Sequence, residues 1–410
     1  MIKTSVFALI FFLFCIFVFP QQITEESVVI NIEVPVRVFD RGEFIDNLRM
    51  ENFEIFEDGI PQKIEAVYLI KKKNVERSEE KKRFSPKTSR NFYIFFEINE
   101  YTPKLGNALE YFIQNVIYPD DYLTIVTPLK TYRMKGKSLE LMPRNEIIKQ
   151  MKDLLRKDSM MGNSEYSQVV RELESLSKSL AATISNDDTI KRSDESTFIG
   201  LENLSINEQL TYYEQLLSKL ENLRRVEQQK LLEFADFLKD REGQKYVYMF
   251  YQREFIPQIE PNILTQYISM YQDDPSIQQT VAGLFDFFRR DVTFDLDLVK
   301  QTFADSSISI HFLFISTPAK QIHGIRFVEQ SGDIFSAFKE MAQATGGFID
   351  SSSNADSLFQ KALKSSENYY LLYYSPLNYR TDGSFREIEV RVKGKEKNYK
   401  VSHRVGYFAN

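Results

Sequence analysis

The chain of 410 residues has one cysteine, three histidines and no tryptophan. The single Cys15 lies in an N-terminal segment that we expect to be removed, so we predict no disulfide and no thiolate zinc site. The net charge is −6, which argues against a broad basic face for nucleic acid. We find no phosphate-binding loop, dinucleotide fingerprint or GxSxG nucleophile motif. The hydrophobic content of 43% is ample for packed cores.

The N-terminal residues predict export. Lys3 gives a positive start, and residues 6–19 are apolar throughout. Because that run is short for a bilayer span, we interpret residues 1–22 as a secretory signal peptide. The residues around Pro20 lack the small-residue pattern of a good cleavage site, so an uncleaved anchor stays open as an alternative. We expect a periplasmic, cell-surface or secreted protein.

Both ends of the chain show the alternation of apolar and polar residues that is typical of half-buried strands. The predicted strands are residues 28–39, 53–56, 62–70, 369–374, 385–392 and 400–407. We predict that residues 24–71 and 366–410 form the two halves of one β-sandwich. Residues 72–90 are charged and contain proline and serine, and we interpret them as a solvated linker.

The middle of the chain alternates buried strands with helices. The apolar run that opens residues 91–101 is typical of a central strand buried on both faces, and residues 122–127, 245–251 and 307–316 continue the series. This order predicts a doubly wound, mostly parallel α/β sheet over residues 91–365. Apolar stripes at helical spacing interrupt it at about residues 159–243. We predict a helical insertion that packs on its own domain, with a coiled-coil partner site as the alternative.

Several short segments carry a resemblance to a known family. They are residues 53–62 (FEIFEDGIPQ), 119–122 (PDDY), 345–347 (TGG), 370–376 (YLLYYSP), 382–383 (DG), 388–390 (IEV) and 406–407 (GY). Their order and spacing resemble the von Willebrand factor A-related family of exported bacterial proteins first described in acidobacteria. The resemblance spans nearly the whole mature chain and implies a von Willebrand A or Rossmann-like α/β domain, although the helical insertion departs from the usual pattern.

The resemblance also implies a metal-ion-dependent adhesion site, with Asp-x-Ser-x-Ser after the first strand, a threonine on a later loop and an aspartate after the fourth strand. Here the first motif aligns with Glu97, Asn99 and Tyr101, so both serine hydroxyls are missing. The later loop falls at residues 162–164 without a threonine, and Arg253 lies where the aspartate would be. Mg²⁺ prefers hard oxygen ligands. We therefore predict a degenerate site that has lost its metal, and no cofactor.

Other polar groups give no stronger candidate. His311 lies within an apolar run and is interpreted as a core residue, and no two histidines have zinc-ligand spacing. The acidic residues around Asp295 are interpreted as the cap of a helix rather than a Ca²⁺ site.

The function that we predict is that of a non-enzymatic exported scaffold or binding protein, which contacts a protein partner at the top of the sheet without a metal. The candidate partner-binding residues are Glu97, Asn99, Glu100, Tyr101, Asn163, Ser164 and Arg253. Two alternatives stay open: an envelope hydrolase or hydrolase subunit, and a metal-dependent adhesin in which water and Glu97 replace the missing ligands. We predict no nucleic-acid partner, and membrane contact only through an uncleaved signal anchor.

Overall fold

The computed structural model describes residues 30–134, 138–185, 204–286, 294–322, 324–329, 331–377, 379–394 and 399–410. The predicted signal peptide, Cys15 and His323 lie outside these residues. Within the described part of the chain, every helix is too short or too polar to cross a bilayer.

The secondary structure combines many short strands with helices that lie in the middle of the chain. The strands are β1 (Ile32–Asp40), β2 (Glu43–Phe44), β3 (Phe53–Glu57), β4 (Ile60–Gln62), β5 (Ile64–Lys71), β6 (Asn74–Glu80), β7 (Arg90–Glu97), β8 (Tyr122–Val126), β9 (Thr131–Met134), β10 (Gln244–Gln252), β11 (Phe255–Ile259), β12 (Ile308–Ile315), β13 (Ile325–Glu329), β14 (Ile349–Ser352), β15 (Asn368–Tyr374), β16 (Phe385–Val392), β17 (Lys400–His403) and β18 (Gly406–Phe408). The helices are α1 (Pro103–Asn115), α2 (Ser138–Leu141), α3 (Arg144–Gly162), α4 (Ser164–Ser185), α5 (Ile206–Leu223), α6 (Gln228–Lys239), α7 (Pro261–Met270), α8 (Pro275–Asp286), α9 (Leu296–Asp305), α10 (Gly332–Ala344) and α11 (Ala355–Ser366).

Strands from both chain ends build two antiparallel sheets. One has the order β17-β1-β15-β5-β6 with β2 beside β1, and the other has the order β18-β16-β3-β4. Alternate residues of β1, such as Val34 and Val36, point into a core that both sheets share. The carboxylate of Glu57 is held within it by the hydroxyls of Tyr374 (2.6 Å) and Tyr407 (2.9 Å). This arrangement is consistent with the predicted β-sandwich.

A mixed sheet with the order β14-β12-β10-β7-β8-β9 forms the centre of the chain. Its strands from β14 to β8 pair in parallel, and β9 pairs antiparallel with β8. One face is covered by α1, α3 and α11, and the opposite face by α6, α9 and α10. Burial on both faces explains why β7, β10 and β12 are almost wholly apolar.

The predicted fold class, a doubly wound and mostly parallel sheet of von Willebrand A or Rossmann-like type, is wrong for this chain. Of the four sheets in the described residues, three are antiparallel throughout and the fourth is mixed. The chain is a mixed α/β protein with mostly antiparallel sheets. The prediction gave too much weight to the long apolar runs, because short strands such as β9, β11 and β13 have no comparable sequence signal.

One further segment differs from its sequence interpretation. Residues 72–90, interpreted as a linker, include β6, which pairs antiparallel with β5 at a sheet edge. Charged residues are common on edge strands because they oppose pairing with other chains. The charged residues of β6 therefore gave it the sequence pattern of a linker. The domain boundaries that we inferred from the sequence stay predictions.

The apolar stripes of α4 and α5 are covered by other parts of the same chain. Leu173 and Leu180 of α4 and Leu217 of α5 belong to one core together with residues of α7, α8 and β11. The Tyr267 hydroxyl donates to the Leu180 carbonyl oxygen at 2.8 Å, which ties α7 to α4. These stripes therefore serve the local core, as the first of the two sequence interpretations expects, and not a coiled-coil seam.

Candidate functional site

Side chains at the end of β7 point to the two opposite faces of the mixed sheet. Phe96 and Ile98 point into the core under α1 and α3, whereas Phe95 lies on the opposite face. Side chains alternate along a strand, so Glu97 shares the face of Phe95. Its carboxyl group lines an apolar cavity on that side of the sheet. Glu97 is thereby separated from the predicted site residues that follow it.

Gln252, at the end of β10, holds the loop after β7. Its side-chain oxygen Oε1 accepts hydrogen bonds from the backbone nitrogens of Asn99 (2.8 Å) and Glu100 (2.9 Å). Gln252 is buried, so both of these backbone donors are satisfied by an internal acceptor. The turn that begins the predicted site is therefore fixed by a side chain from the neighbouring strand.

Arg224, at the end of α5, brings a positive charge to the same loop. Its guanidinium donates to Asn99 Oδ1, and its Nε lies 3.1 Å from Glu254 Oε1. The guanidinium also stacks on the Tyr166 ring, with 3.9 Å between Cζ and the ring centroid. Glu254 is 3% exposed and Arg224 is 15% exposed, so the ion pair is largely shielded from water. The helical insertion thus reaches back to the carboxyl end of the sheet.

The sequence alignment put Arg253 where the family has its aspartate, but in the structure the guanidinium at this edge is that of Arg224. The Arg253 guanidinium donates a hydrogen bond to the Glu329 carboxylate of β13 and lies over the Phe255 ring at 5.2 Å. The hydrogen bond to Glu329 raises the pKa of Arg253. Arg253 therefore belongs to the junction of β11 and β13. Sequence reasoning missed Arg224, because an arginine that follows an amphipathic helix has the pattern of a solvated helix end.

The residues of the degenerate adhesion motif do not fit a Mg²⁺ ion. The Asn99 side-chain oxygen already accepts from the Arg224 guanidinium, so a metal would have to displace a fixed cation. Glu97 points to the apolar face, away from a shared ligand set. In the described residues, no group of three or more histidine, cysteine, aspartate or glutamate side chains is arranged to hold a metal ion. An octahedral oxygen site needs several free and convergent oxygens, which this edge does not offer.

Asn163 and Ser164 take structural roles at the junction of α3 and α4. The Asn163 amide nitrogen Nδ2 donates to the carbonyl oxygens of Ile98 (2.6 Å) and Ser159 (2.8 Å), and Asn163 is buried. The Ser164 hydroxyl donates to the Met161 carbonyl oxygen at 2.9 Å. Asn163 thus links this helix junction to the loop after β7, and its amide donors are not available to a partner.

Asp158 of α3 is a buried carboxylate that the sequence did not predict. Asp158 Oδ2 accepts from the hydroxyls of Thr127 and Tyr132, each at 2.7 Å. Burial raises the pKa of Tyr132 to about 12, and the hydrogen bond to Asp158 adds to the effect. An aspartate flanked by lysine and serine in an amphipathic helix gave no sequence signal for burial. These hydrogen bonds connect Asp158 of α3 to the end of β8 and to β9.

An open groove of about 570 Å³ lies beside the loop after β7, and we call it the rim groove. It is lined by Asn99, Glu100, Tyr101, Pro103, Arg156, Ser159, Met160, Ser164, Ser167 and Arg171. The Arg156 guanidinium lies over the Tyr101 ring at 5.1 Å, and Met160 is 72% exposed. Four of the seven predicted partner-binding residues border this groove, whereas Glu97, Asn163 and Arg253 do not.

The two histidines in the described residues bond to the backbone. His311 Nδ1 accepts from the Phe348 backbone nitrogen at 3.1 Å, and its ring stacks on Tyr248. His403 Nε2 accepts from the Val390 backbone nitrogen at 3.2 Å. Neither ring makes a hydrogen bond with a serine in this part of the chain. The structure therefore assembles no serine–histidine pair among these residues that would favour the hydrolase alternative.

Comparison of the chain with models of protein families, with curated proteins and with solved structures finds no match. The resemblance to the von Willebrand A-related family therefore stays a prediction from the sequence.

Proposed function

We propose that this chain is a non-enzymatic binding protein that contacts a protein partner through the rim groove without a metal ion. The observation that carries the proposal is the grouping of Tyr101, Arg156, Met160 and Arg171 in one open groove. Tyrosine, arginine and methionine are enriched at protein interfaces, and tyrosine and arginine are frequent among the few residues that contribute most of the binding energy. Arg156 and Arg171 are exposed, so the complementary partner is a segment with an acidic residue beside an apolar anchor.

Metal-independent binding is supported by Arg224. In an adhesion site of the metal-dependent kind, the ion supplies the positive charge that attracts a partner's carboxylate. Here Arg224 supplies a fixed positive charge next to Asn99, and Arg156 and Arg171 supply exposed positive charge in the groove. Guanidinium groups recognise carboxylates through two parallel hydrogen bonds, so an acidic partner needs no ion. We also propose that the protein is exported, on the basis of its apolar N-terminal run.

Site-specific crosslinking tests the place of binding. A photoreactive methionine analogue in place of Met160 is expected to crosslink a partner from the native envelope. The same analogue in place of Met270, which is also exposed but lies on α7 outside the groove, serves as the control. Crosslinking of the same partner at Met270 and not at Met160 would contradict the proposal.

The partner identified in this way is then purified and its affinity measured. Arg156→Glu is expected to weaken binding about tenfold or more, since a desolvated arginine at an interface contributes well over 1.4 kcal/mol. Lys157→Glu makes the same charge change on the adjacent residue, which is exposed and does not line the groove. The affinity of this variant for the partner should therefore stay within about twofold of that of the natural chain. Adding a chelator should leave the affinity unchanged. Loss of binding with chelator would instead support the metal-dependent adhesin.

A further inference from the structure

A second concave site lies on the opposite face of the mixed sheet from the rim groove. It is a cavity of about 380 Å³ between β7, β10 and β12 and the helices α6, α9 and α10. Aromatic side chains form much of its wall: Phe95, Phe234, Tyr251, Phe303 and Phe338. This volume and this apolar lining are typical of pockets for small molecules.

Glu97 is the one acidic side chain that the sheet itself contributes to this cavity. It ends β7 and pairs with Tyr251 of β10, which also lines the cavity. The Glu97 side chain is exposed and open to the cavity, and its carboxyl group makes no hydrogen bond with any residue that the structure describes. A carboxylate among apolar side chains is costly unless a donor or a positive charge meets it. The cavity therefore presents an acceptor without a donor.

The cationic side chains around the cavity leave this acceptor without a hydrogen bond. The positive charge of Arg224 acts on the Glu97 carboxyl group, but no hydrogen bond joins the two side chains; Arg224 donates to Asn99 and forms an ion pair with Glu254. Lys230 lies at the exposed side and pairs with Glu227, with 2.8 Å between Nζ and Oε1. Arg225 is exposed at the same side. A ligand that supplies its own donor would complete the site.

We propose that this cavity binds a hydrophobic amine, whose apolar body lies among the aromatic side chains and whose ammonium group donates hydrogen bonds to the Glu97 carboxylate. Three arguments favour an amine over other ligands. The aromatic faces attract a cation as well as an apolar chain. A neutral ligand would leave the carboxylate unpaired, and a carboxylic acid would place a second negative charge beside it. Hydrogen bonds between charged partners are the strong ones, so the amine is selected.

Calorimetric titration of the natural chain with three probes of equal length tests the proposal. The probes are octylamine, octanol and octanoate. Octylamine is expected to bind about tenfold or more tightly than the other two, since a hydrogen bond to a charged group has a large net effect. Glu97→Gln should remove this preference, while octanol affinity should change less than about twofold because the apolar walls are intact.

Two control variants make the outcome specific. Glu100→Gln removes a carboxylate from the rim groove and should leave octylamine affinity unchanged. Met249→Trp narrows the cavity and should weaken the binding of octylamine and octanol alike. Equal affinity for the three probes, tighter binding of octanoate, or no saturable binding of octylamine would each overturn the proposal. The proposed protein-binding function is tested separately, because Arg156→Glu should not alter octylamine affinity.

Discussion

Removing the carboxylate of Asp121 should destabilise the protein strongly, because it would leave a buried arginine without its counter-charge. Arg90 and Asp121 are each 2% exposed, at the start of β7 and just before β8. Arg90 Nε donates to Asp121 Oδ1 at 3.1 Å, and the Arg90 Nη2 group donates to Asp121 Oδ2. The same Nη2 group donates to the Val116 carbonyl oxygen at 2.9 Å. The Asp121 carboxylate also accepts from the Tyr118 backbone nitrogen at 2.8 Å.

The magnitude follows from burial. Breaking a buried ion pair from one side costs about 3–5 kcal/mol, which for the predicted domain of residues 91–365 corresponds to a fall in Tm of roughly 5–9 °C. Asp120 is the matched control, because it is the adjacent residue and pairs with Lys73 while 69% exposed. Asp120→Ala should cost less than about 1 kcal/mol, since exposed ion pairs contribute little.

Thermal unfolding followed by circular dichroism compares Asp121→Ala with Asp120→Ala at neutral pH. A third protein, Arg90→Met with Asp121→Leu, replaces the pair by apolar groups and should recover most of the lost stability. This recovery separates the effect of an unpaired charge from the effect of lost packing. Equal Tm values for Asp121→Ala and Asp120→Ala would refute the reasoning, and so would a double variant that is no more stable than Asp121→Ala.

Three more predictions concern single residues. The apolar surroundings raise the pKa of the Glu97 carboxyl in the folded state, with the charge of Arg224 opposing the shift, although the side chain is open to the cavity. The native chain should therefore lose stability as the pH rises from the unfolded-state pKa of this carboxyl through its raised folded-state pKa. Glu97→Gln should increase Tm at neutral pH and give no increase at a pH below the unfolded-state pKa, which a pH series of melting curves measures. Gly347→Ala would place a Cβ 1.7 Å from a backbone oxygen of β12, so it should lower the free energy of unfolding by about 1–3 kcal/mol or more. Gly283 lies in α8 with no atom within 4 Å of an added Cβ, so Gly283→Ala should raise the free energy of unfolding by up to about 1 kcal/mol. A loss of equal size in both variants would contradict this prediction. Arg224→Met should cost about 2–3 kcal/mol in chemical denaturation, because it leaves a buried acidic partner without its guanidinium, and the exposed neighbour Arg225→Met should show no comparable loss.

Much of the local structure was predictable because its determinants lie close together in the sequence. The apolar runs of β7, β10 and β12 and the alternation of β16 indicate strands without any knowledge of the fold. The cap of α9 was predictable too, since the Asp295 side chain accepts from the Leu298 backbone nitrogen at 3.0 Å. The fold class was not, because the direction in which strands pair depends on how distant segments meet. No short pattern marks β9 as antiparallel or joins β11 to β13.

The candidate site shows the same division. By itself, the sequence determined that the residues after β7 lack the serines of a metal site and that the chain begins with an apolar run. Only the tertiary structure decided that Arg224, which lies 125 positions from Asn99, supplies the charge at that edge. It also decided that Glu97 faces an aromatic cavity while Tyr101 borders an open groove. The physical reason is that periodicity records which side chains are buried, whereas the neighbour of a polar atom is chosen by packing between elements far apart in the chain.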